Sequence, residues 1–575
     1  MDKGNGIVIL DTVDYYKKLD QIINDDSRFV KLDYNINQTT IKECSDAPWI
    51  KKEDSVARYC YRLIKPLVDT GTYNRIYPQG SQPGKLYGMV KNHKKNCPMR
   101  PVLSAINTPE YNLAKWFEKQ LRPFLNDPCS VPSSEAFCND LRQMKPSPSD
   151  LYVSFDIKSL YTNVPVKEVV DDICNVVYSN SPVSRFFVDS KITKIMFRNI
   201  LNICCKSIFL YKDTVYEQRD GVAMGLPLAP LLANWFVSKI ERNIFSDSKN
   251  NQCKPIFYKR YVDDIFAVFT NSSDRDRFFT VLNSSHPNLQ FTMEITTDAL
   301  PFLDVEITAK DGMYNTRVYR KPTNTGVLLN FESIAPLKWK KALVRGMLNK
   351  AYKLSSSLAC FKSETEIIKS SLRKNSYPDR FIAKLCDNFI ESNNIAKSSF
   401  PHVPAGTNTR SKDKKSNFFT IPYVGKASIK LQRQIAAEME RMQISVFGSY
   451  TTTKTSSYFN LKDKCPKLFT SNVVYEFTCL RDEGTAYIGE TRRQLFRRVS
   501  DHAGKDKNSA VFNHLYNCSV CQSTKSICGQ FKILQKCTPQ NLLSFESLLI
   551  AKHRPVLNTQ LGPGNRPAVT LTLYN

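Results

Sequence analysis

The sequence predicts a multidomain α+β protein, on three observations. At 575 residues the chain is too long for one ordinary core, so two or three domains are expected. Hydrophobic residues make up 42% and aromatic ones 11% of it, the composition of a folded protein. Up to about residue 330, short β-rich stretches alternate with helical ones.

Charge narrows the partners. The 81 Lys and Arg against 54 Asp and Glu leave a net charge of +27, an excess that suits a polyanion and makes binding salt-dependent through counterion release. Nucleic acid leads, and an anionic membrane surface competes. No apolar run reaches the roughly 18 residues that span a bilayer, and Met1-Asp2-Lys3-Gly4 does not read as a signal peptide. Seventeen cysteines without a secretory leader point to reduced thiols in an intracellular compartment. Gly6-Ile7-Val8-Ile9-Leu10 reads as a core strand with almost nothing before it, so the authentic N-terminus is expected upstream.

Along the chain, Leu151 to Ile157 is an apolar strand ending at Asp156. Tyr261-Val262-Asp263-Asp264 stands between Ile256-Phe257-Tyr258 and Ile265-Phe266-Ala267-Val268-Phe269, the pattern of a hairpin whose tight turn carries two acids. Adjacent acids are also common in plain polar turns. If the Asp156 strand pairs beside this hairpin, three carboxylates converge and hold two divalent ions, about 3.5–4 Å apart, able to activate a 3′-hydroxyl and stabilise departing pyrophosphate. Mg²⁺ suits such oxygen ligands.

From Pro336 to Leu348 apolar residues recur at helical spacing with basic ones between, which reads as a solvated amphipathic helix or a nucleic-acid-facing one. Pro401 to Asn417 is a Pro, Gly, Ser and Lys-rich linker. A helix near 426 to 443 follows, then a C-terminal domain over roughly 456 to 575. No internal repeat is evident.

The ordered set resembles the reverse transcriptase palm. Asp156 with Tyr161 matches the first catalytic motif, where the resemblance makes the tyrosine a gate at the sugar. Gly221 to Pro230, with Gly225 and Pro227, matches the loop supporting template and nucleotide. Tyr261 to Asp264 matches the second catalytic motif, and Phe302 to Ile307 with Tyr319-Arg320-Lys321-Pro322-Thr323 the motifs after it. Leu86 to Lys94 and Met99 to Ser104 resemble the fingers, with Lys91 and Arg100 as triphosphate contacts. Within that group, Tyr87-Gly88-Met89-Val90-Lys91-Asn92-His93-Lys94 and Arg320-Lys321-Pro322-Thr323-Asn324-Thr325-Gly326 resemble Penelope-like retroelements, whose polymerases are similar to telomerase. The resemblance implies a right-hand polymerase: fingers and palm over 1–330, a helical thumb over 331–400, and a linker and connector over 401–455.

The C-terminal segment, 456–575, resembles a small α/β GIY-YIG endonuclease. By that likeness Tyr475 and Tyr487 position or deprotonate water, Arg498 stabilises the phosphate, His502 assists proton transfer and Glu546 ligates one Mg²⁺. Arg498 and His502, four apart, share a helix face. Val473-Val474 replaces the usual glycine and isoleucine before the first tyrosine. Cys465, Cys479, His502, His514, Cys518 and Cys521 crowd this segment, and the His514, Cys518, Cys521 spacing with Cys479 can furnish a tetrahedral Zn²⁺ site; buried free thiols are the alternative. The expected activity is nicking of target DNA in the nucleus and extension of the exposed 3′-hydroxyl with dNTPs by copying an element RNA. Telomerase-like extension of chromosome ends and a catalytically silent nucleic-acid-binding derivative are the rivals.

Overall fold

A computed structural model describes residues 8–91, 96–179, 192–296, 299–310, 312–395, 417–454, 458, 462–481, 484–523 and 526–558. Most of the expected 401–417 linker, with Asn92, His93 and Lys94, lies outside the described residues. The N-terminal strand expectation is corrected: Val8 to Leu10 is coil, and Ile9 is 91% exposed.

The region expected to be the fingers contains a five-stranded sheet ordered β1-β6-β5-β2-β3, with β1 Phe29–Asn35, β2 Gly84–Val90, β3 Met99–Ser104, β5 Ile208–Tyr211 and β6 Thr214–Gln218. The sheet expected to form the palm is antiparallel and ordered β7-β8-β4-β9, from β4 Leu151–Ile157, β7 Phe257–Tyr261, β8 Asp264–Phe269 and β9 Phe291–Thr296. Both its faces are covered. Ile265, Ala267 and Phe269 join one core with Val153 and Phe155, while Phe266 and Val268 join a second with Phe137 and Phe302. Two-sided burial explains why β8 is a continuous apolar run and not an alternating one.

A three-stranded sheet, β10 Leu300–Phe302, β11 Val305–Lys310 and β12 Met313–Val318, leads to helices Leu337–Leu354, Leu358–Lys374 and Asp379–Ser392. Val344, Leu348 and Ala351 face the helical core, and Lys341 and Arg345 are exposed. Lys340 departs from both sequence readings of this stretch. It is 7% exposed, and its ammonium donates to the Phe331 and Ser333 carbonyls, so it fastens a loop instead of facing solvent or nucleic acid. Strands β13 Asn417–Pro422 and β14 Val446–Thr451 pair in parallel across the helix Lys426–Arg441.

The C-terminal domain has a sheet ordered β16-β15-β17, with β15 Val473–Thr478, β16 Thr485–Thr491 and β17 Phe531–Lys536, backed by helix Leu542–His553. It is docked on the fingers. One hydrophobic core contains Trp49, Ile50, Ile208, Leu210 and Val215 from the fingers together with Phe469, Phe477, Leu495, Phe496 and Phe531.

Candidate active sites

In the palm, β4 and β8 are in a register that makes Asp156 and Asp264 direct cross-strand partners, whose Cα atoms lie about 4.5–5.5 Å apart in such pairs. Asp263 occupies the turn, and its carbonyl accepts from the Ile157 N–H at 3.0 Å. Asp264 is exposed, while Asp156 and Asp263 are half-buried. Asp156 and Asp264 therefore stand as neighbours at one sheet end, with Asp263 in the adjoining turn, and paired divalent cations are the chemistry that would suit acids placed so.

The turn is strained and braced. Val262 has φ +59°, an outlier for a β-branched residue. Its carbonyl accepts from Arg260, which is wholly buried and also donates to Glu241 at 2.7 Å, Asp127 at 2.9 and 3.0 Å and Asn234 at 3.1 Å. Tyr258 donates to the same Glu241 at 2.8 Å. Burial pushes the Glu241 carboxyl up, and the guanidinium beside it pulls it back. Sequence reasoning passed over Arg260, since Lys259 and Arg260 stand together in β7 and the sequence does not tell which of the two is buried.

Tyr161 stands beside this turn. Burial raises its hydroxyl pKa first, the Asp263 charge adds to that, and Arg100 opposes it, so Tyr161, Asp263 and Arg100 share one electrostatic environment. The glycine loop packs between them and the fingers. Gly225 has φ +119°, and a Cβ there would lie 2.0 Å from the Leu103 carbonyl oxygen. Leu103 N–H donates to the Met224 carbonyl at 2.9 Å, and Val222 N–H to that of Tyr161 at 2.8 Å. The close approach that needs glycine is thus to the strand carrying Arg100. Pro227 follows, half-buried, just before helix Ala229–Ser246. Lys91 leaves β2 with its N–H on the Pro98 carbonyl at 2.9 Å. Lys321 lines an open cavity of about 500 Å³ with Asp304, Arg320, Lys350 and Glu364, where palm meets thumb.

In the C-terminal domain, Tyr475 on β15 pairs across to Gly489 on β16. A Cβ on Gly489 would lie 2.6 Å from the Tyr487 ring and 2.7 Å from the Tyr475 hydroxyl, so glycine makes room for two tyrosines. Arg498 Nε donates to the Tyr475 hydroxyl at 3.1 Å, which lies 2.8 Å from His502 Nε2. His502 Nδ1 faces the Ser509 hydroxyl, a partner the sequence reading missed. His502 is wholly buried, and burial with the Arg498 charge lowers its pKa to about 3. The imidazole is therefore neutral, with Nε2 on the Tyr475 hydroxyl and Nδ1 on that of Ser509. His502 lies where helix Leu495–Ser500 runs into a wide π-type turn, Asp501–Lys505, and it reaches the same Tyr475 hydroxyl as Arg498, as a shared face requires.

Burial raises the Tyr475 and Tyr487 hydroxyls, and Arg498 pulls both back. Tyr475 is 0% exposed and Tyr487 half-buried, so Tyr487 is the tyrosine within reach of solvent. Glu546 lies in the same field: burial, then Glu490, pushes its carboxyl up to about 7, partly offset by the Glu490 N–H and Arg498. A neutralising cation suits this pair of acids. In place of the usual glycine and isoleucine, Val473 and Val474 are fully buried, regular residues of β15.

Cys479, His514, Cys518 and Cys521 present ligand atoms all within 4.8 Å of one another. Cys479 and Cys521 sulfurs are 3.7 Å apart, and Cys521 lies 3.8 Å from His514 Nε2. Tetrahedral zinc with bonds of about 2.0–2.3 Å separates its ligand atoms by about 3.5–3.8 Å, so the cluster has the dimensions of a metal site. Cys465 is not in it, and sits beside Lys85 of the fingers.

Residues 92–294 match the family model for reverse transcriptase (RNA-dependent DNA polymerase), and that span contains Asp156, Asp263 and Asp264. Residues 92–294 form a reverse transcriptase domain. Residues 327–385, after that domain, match the model of an animal helix-turn-helix domain. Solved structures similar to the chain include telomerase from Candida albicans in complex with a fragment of telomeric RNA, at 13% identity and TM-score 0.37, covering 60% of this chain and 66% of that one. Apo telomerase from Candida tropicalis is similar at 13% identity and TM-score 0.35, covering 67% and 62%. At such scores the likeness does not by itself establish a common fold, and the chain spans less than two thirds of either telomerase. No curated protein matches.

Proposed function

We propose that this chain is the protein of a Penelope-like retroelement, which nicks target DNA with a C-terminal GIY-YIG nuclease and primes reverse transcription of its own RNA from the nick. The observation that carries the reading is the convergence of Tyr475, Tyr487, Arg498, His502 and Glu546 in a domain separate from the polymerase acids. A telomerase-like enzyme extending existing ends has no need of that second constellation, and a silent derivative has no need of Asp156 and Asp264 paired across two strands with Asp263 in the turn beside them. In this reading two Mg²⁺ lie between Asp156, Asp263 and Asp264 with dNTPs, and one Mg²⁺ lies on Glu546. Zn²⁺ lies on Cys479, His514, Cys518 and Cys521, where it ties β15 to the helices that follow. The net charge of +27 serves both nucleic acids, and the site of action is the nucleus.

Incubation with supercoiled plasmid and Mg²⁺ should yield nicked circles, and with RNA template, DNA primer and dNTPs should extend the primer. Arg498→Ala or Glu546→Ala should stop nicking and spare extension; Asp263→Ala should do the reverse. Extension by Asp263→Ala would sink the polymerase assignment, and simultaneous loss of both activities in Glu546→Ala would sink the two-site reading.

A further inference from the structure

The helix that carries Arg498 starts on the fingers. Gln494, just before Leu495–Ser500, is 0% exposed. Its side-chain amide donates to the Glu53 carboxylate and, at 2.9 Å, to the Ser81 carbonyl. Glu53, in the fingers helix Pro48–Tyr59 and 5% exposed, also accepts from the N–H groups of Gly80 at 2.9 Å and Ser81 at 3.3 Å. One buried carboxylate thus gathers three donors from two parts of the chain. The approach is as close as backbone allows: Gly80 has φ +71°, and a Cβ there would lie 2.4 Å from the Arg492 carbonyl oxygen.

Around this clamp the contact is extensive. Arg497 donates to Asp54 at 2.7 Å. Trp49 meets Phe469 edge-on at 4.8 Å, and Phe469 meets Phe496 at 5.8 Å. The very next residue, Arg498, reaches the Tyr475 hydroxyl. Apolar packing alone holds two surfaces together without fixing their register. Directional hydrogen bonds to a buried carboxylate do fix it, because a shifted helix start would leave that charge unsatisfied.

We propose that Glu53 of the fingers is a positioning residue for the nuclease: by holding Gln494 it sets the start of the Leu495–Ser500 helix and thereby places the Arg498 guanidinium against Tyr475 and Tyr487. The proposal rests on the nuclease reading given above. Its consequence is that the C-terminal site is built partly by the polymerase, so DNA cleavage depends on a buried fingers residue.

The test uses the full chain with Glu53→Gln, which turns an N–H₂ toward one of the three donors, and separately Gln494→Met, which keeps length and removes the hydrogen bonds. Plasmid nicking kinetics, primer extension, and hydrogen exchange over residues 495–502 are measured on each. The expected result is a fall of about 10-fold in kcat for nicking, as misplacement of a reacting group produces, with KM for DNA and primer extension unchanged and exchange accelerated over 495–502. Unchanged kcat and unchanged exchange in both variants would overturn the proposal, as would equal loss of nicking and extension. Should Glu53→Gln fail to fold, Gln494→Met decides. A wild-type chain that does not nick would sink the nuclease reading instead, and accelerated or unchanged exchange over 495–502 would then uphold or overturn the clamp.

Discussion

Val262 holds a left-handed backbone at φ +59°, which costs a β-branched residue on the order of 1–3 kcal/mol. The surrounding structure must over-determine it, and Arg260 does so by spending one donor on the Val262 carbonyl and the rest on Glu241, Asp127 and Asn234. Arg260→Met would leave the buried Glu241 with only the Tyr258 hydroxyl and take the guanidinium from the half-buried Asp127, and should cost about 3–5 kcal/mol, read as a lowered thermal midpoint. Arg260→Lys keeps charge without the planar fork; it should lower kcat for nucleotide addition more than it raises KM for dNTP, as steady-state primer extension would register. An Arg260→Lys enzyme with wild-type kcat would show that the turn needs no brace.

Glu546 gives a pH dependence at the same scale. Burial and Glu490 lift its carboxyl to about 7, so below that value it is protonated and must lose a proton to bind a cation. Half-saturating Mg²⁺ for nicking should rise as pH falls from 8 through about 7 to 6, and a titration with a flat profile would exclude Glu546 as the ligand. The strand carrying Asp156 and the hairpin carrying Asp263 and Asp264 were legible in the sequence because strand, turn and strand are local patterns. Arg260, Ser509, Gln494 and Glu53 were not, because each acts through a long-range partner or through burial that no local window records.

Among elements, the two glycine contacts behave alike. Gly489→Ala would drive a methyl to within 2.6 Å of the Tyr487 ring and 2.7 Å of the Tyr475 hydroxyl, so it should abolish nicking while leaving primer extension intact; a plasmid assay on that single variant checks it. The strand at 473–478 was readable despite its Val473-Val474 departure, since β15 needs only regular extended residues there. The wide turn at 501–505 was not, because its hydrogen bond from Asp506 back to Asp501 leaves no mark in helical spacing. Lys340 shows the same limit: an amphipathic pattern marks a helix's buried face but cannot tell a snorkelling lysine from one that satisfies buried carbonyls.

At the level of the whole molecule, the core shared by Trp49, Phe469 and Phe496 makes fingers and C-terminal domain a single cooperative unit. Calorimetry should show them unfolding in one transition, and Phe469→Ala, at about 3–5 kcal/mol, should lower that transition as a whole. Two separated transitions in the wild type would refute the shared core. The sequence divided the chain by composition at 401–455 and so described two domains joined by a tether, with no hint that residues as far apart as Trp49 and Phe469 would interdigitate; apolar patterning reports that a face is buried, never against what.

Asn558 folds its amide over the outer side of β16, donating to the Ile488 carbonyl and accepting from its N–H, each at 2.8 Å, while Leu557 N–H takes the Ala486 carbonyl at 2.9 Å. A single side chain there impersonates the strand that would otherwise come next. The exposed margin of the sheet is thereby shut to templated addition by another polypeptide, and an Asn558→Ala protein should be the one that clumps on storage.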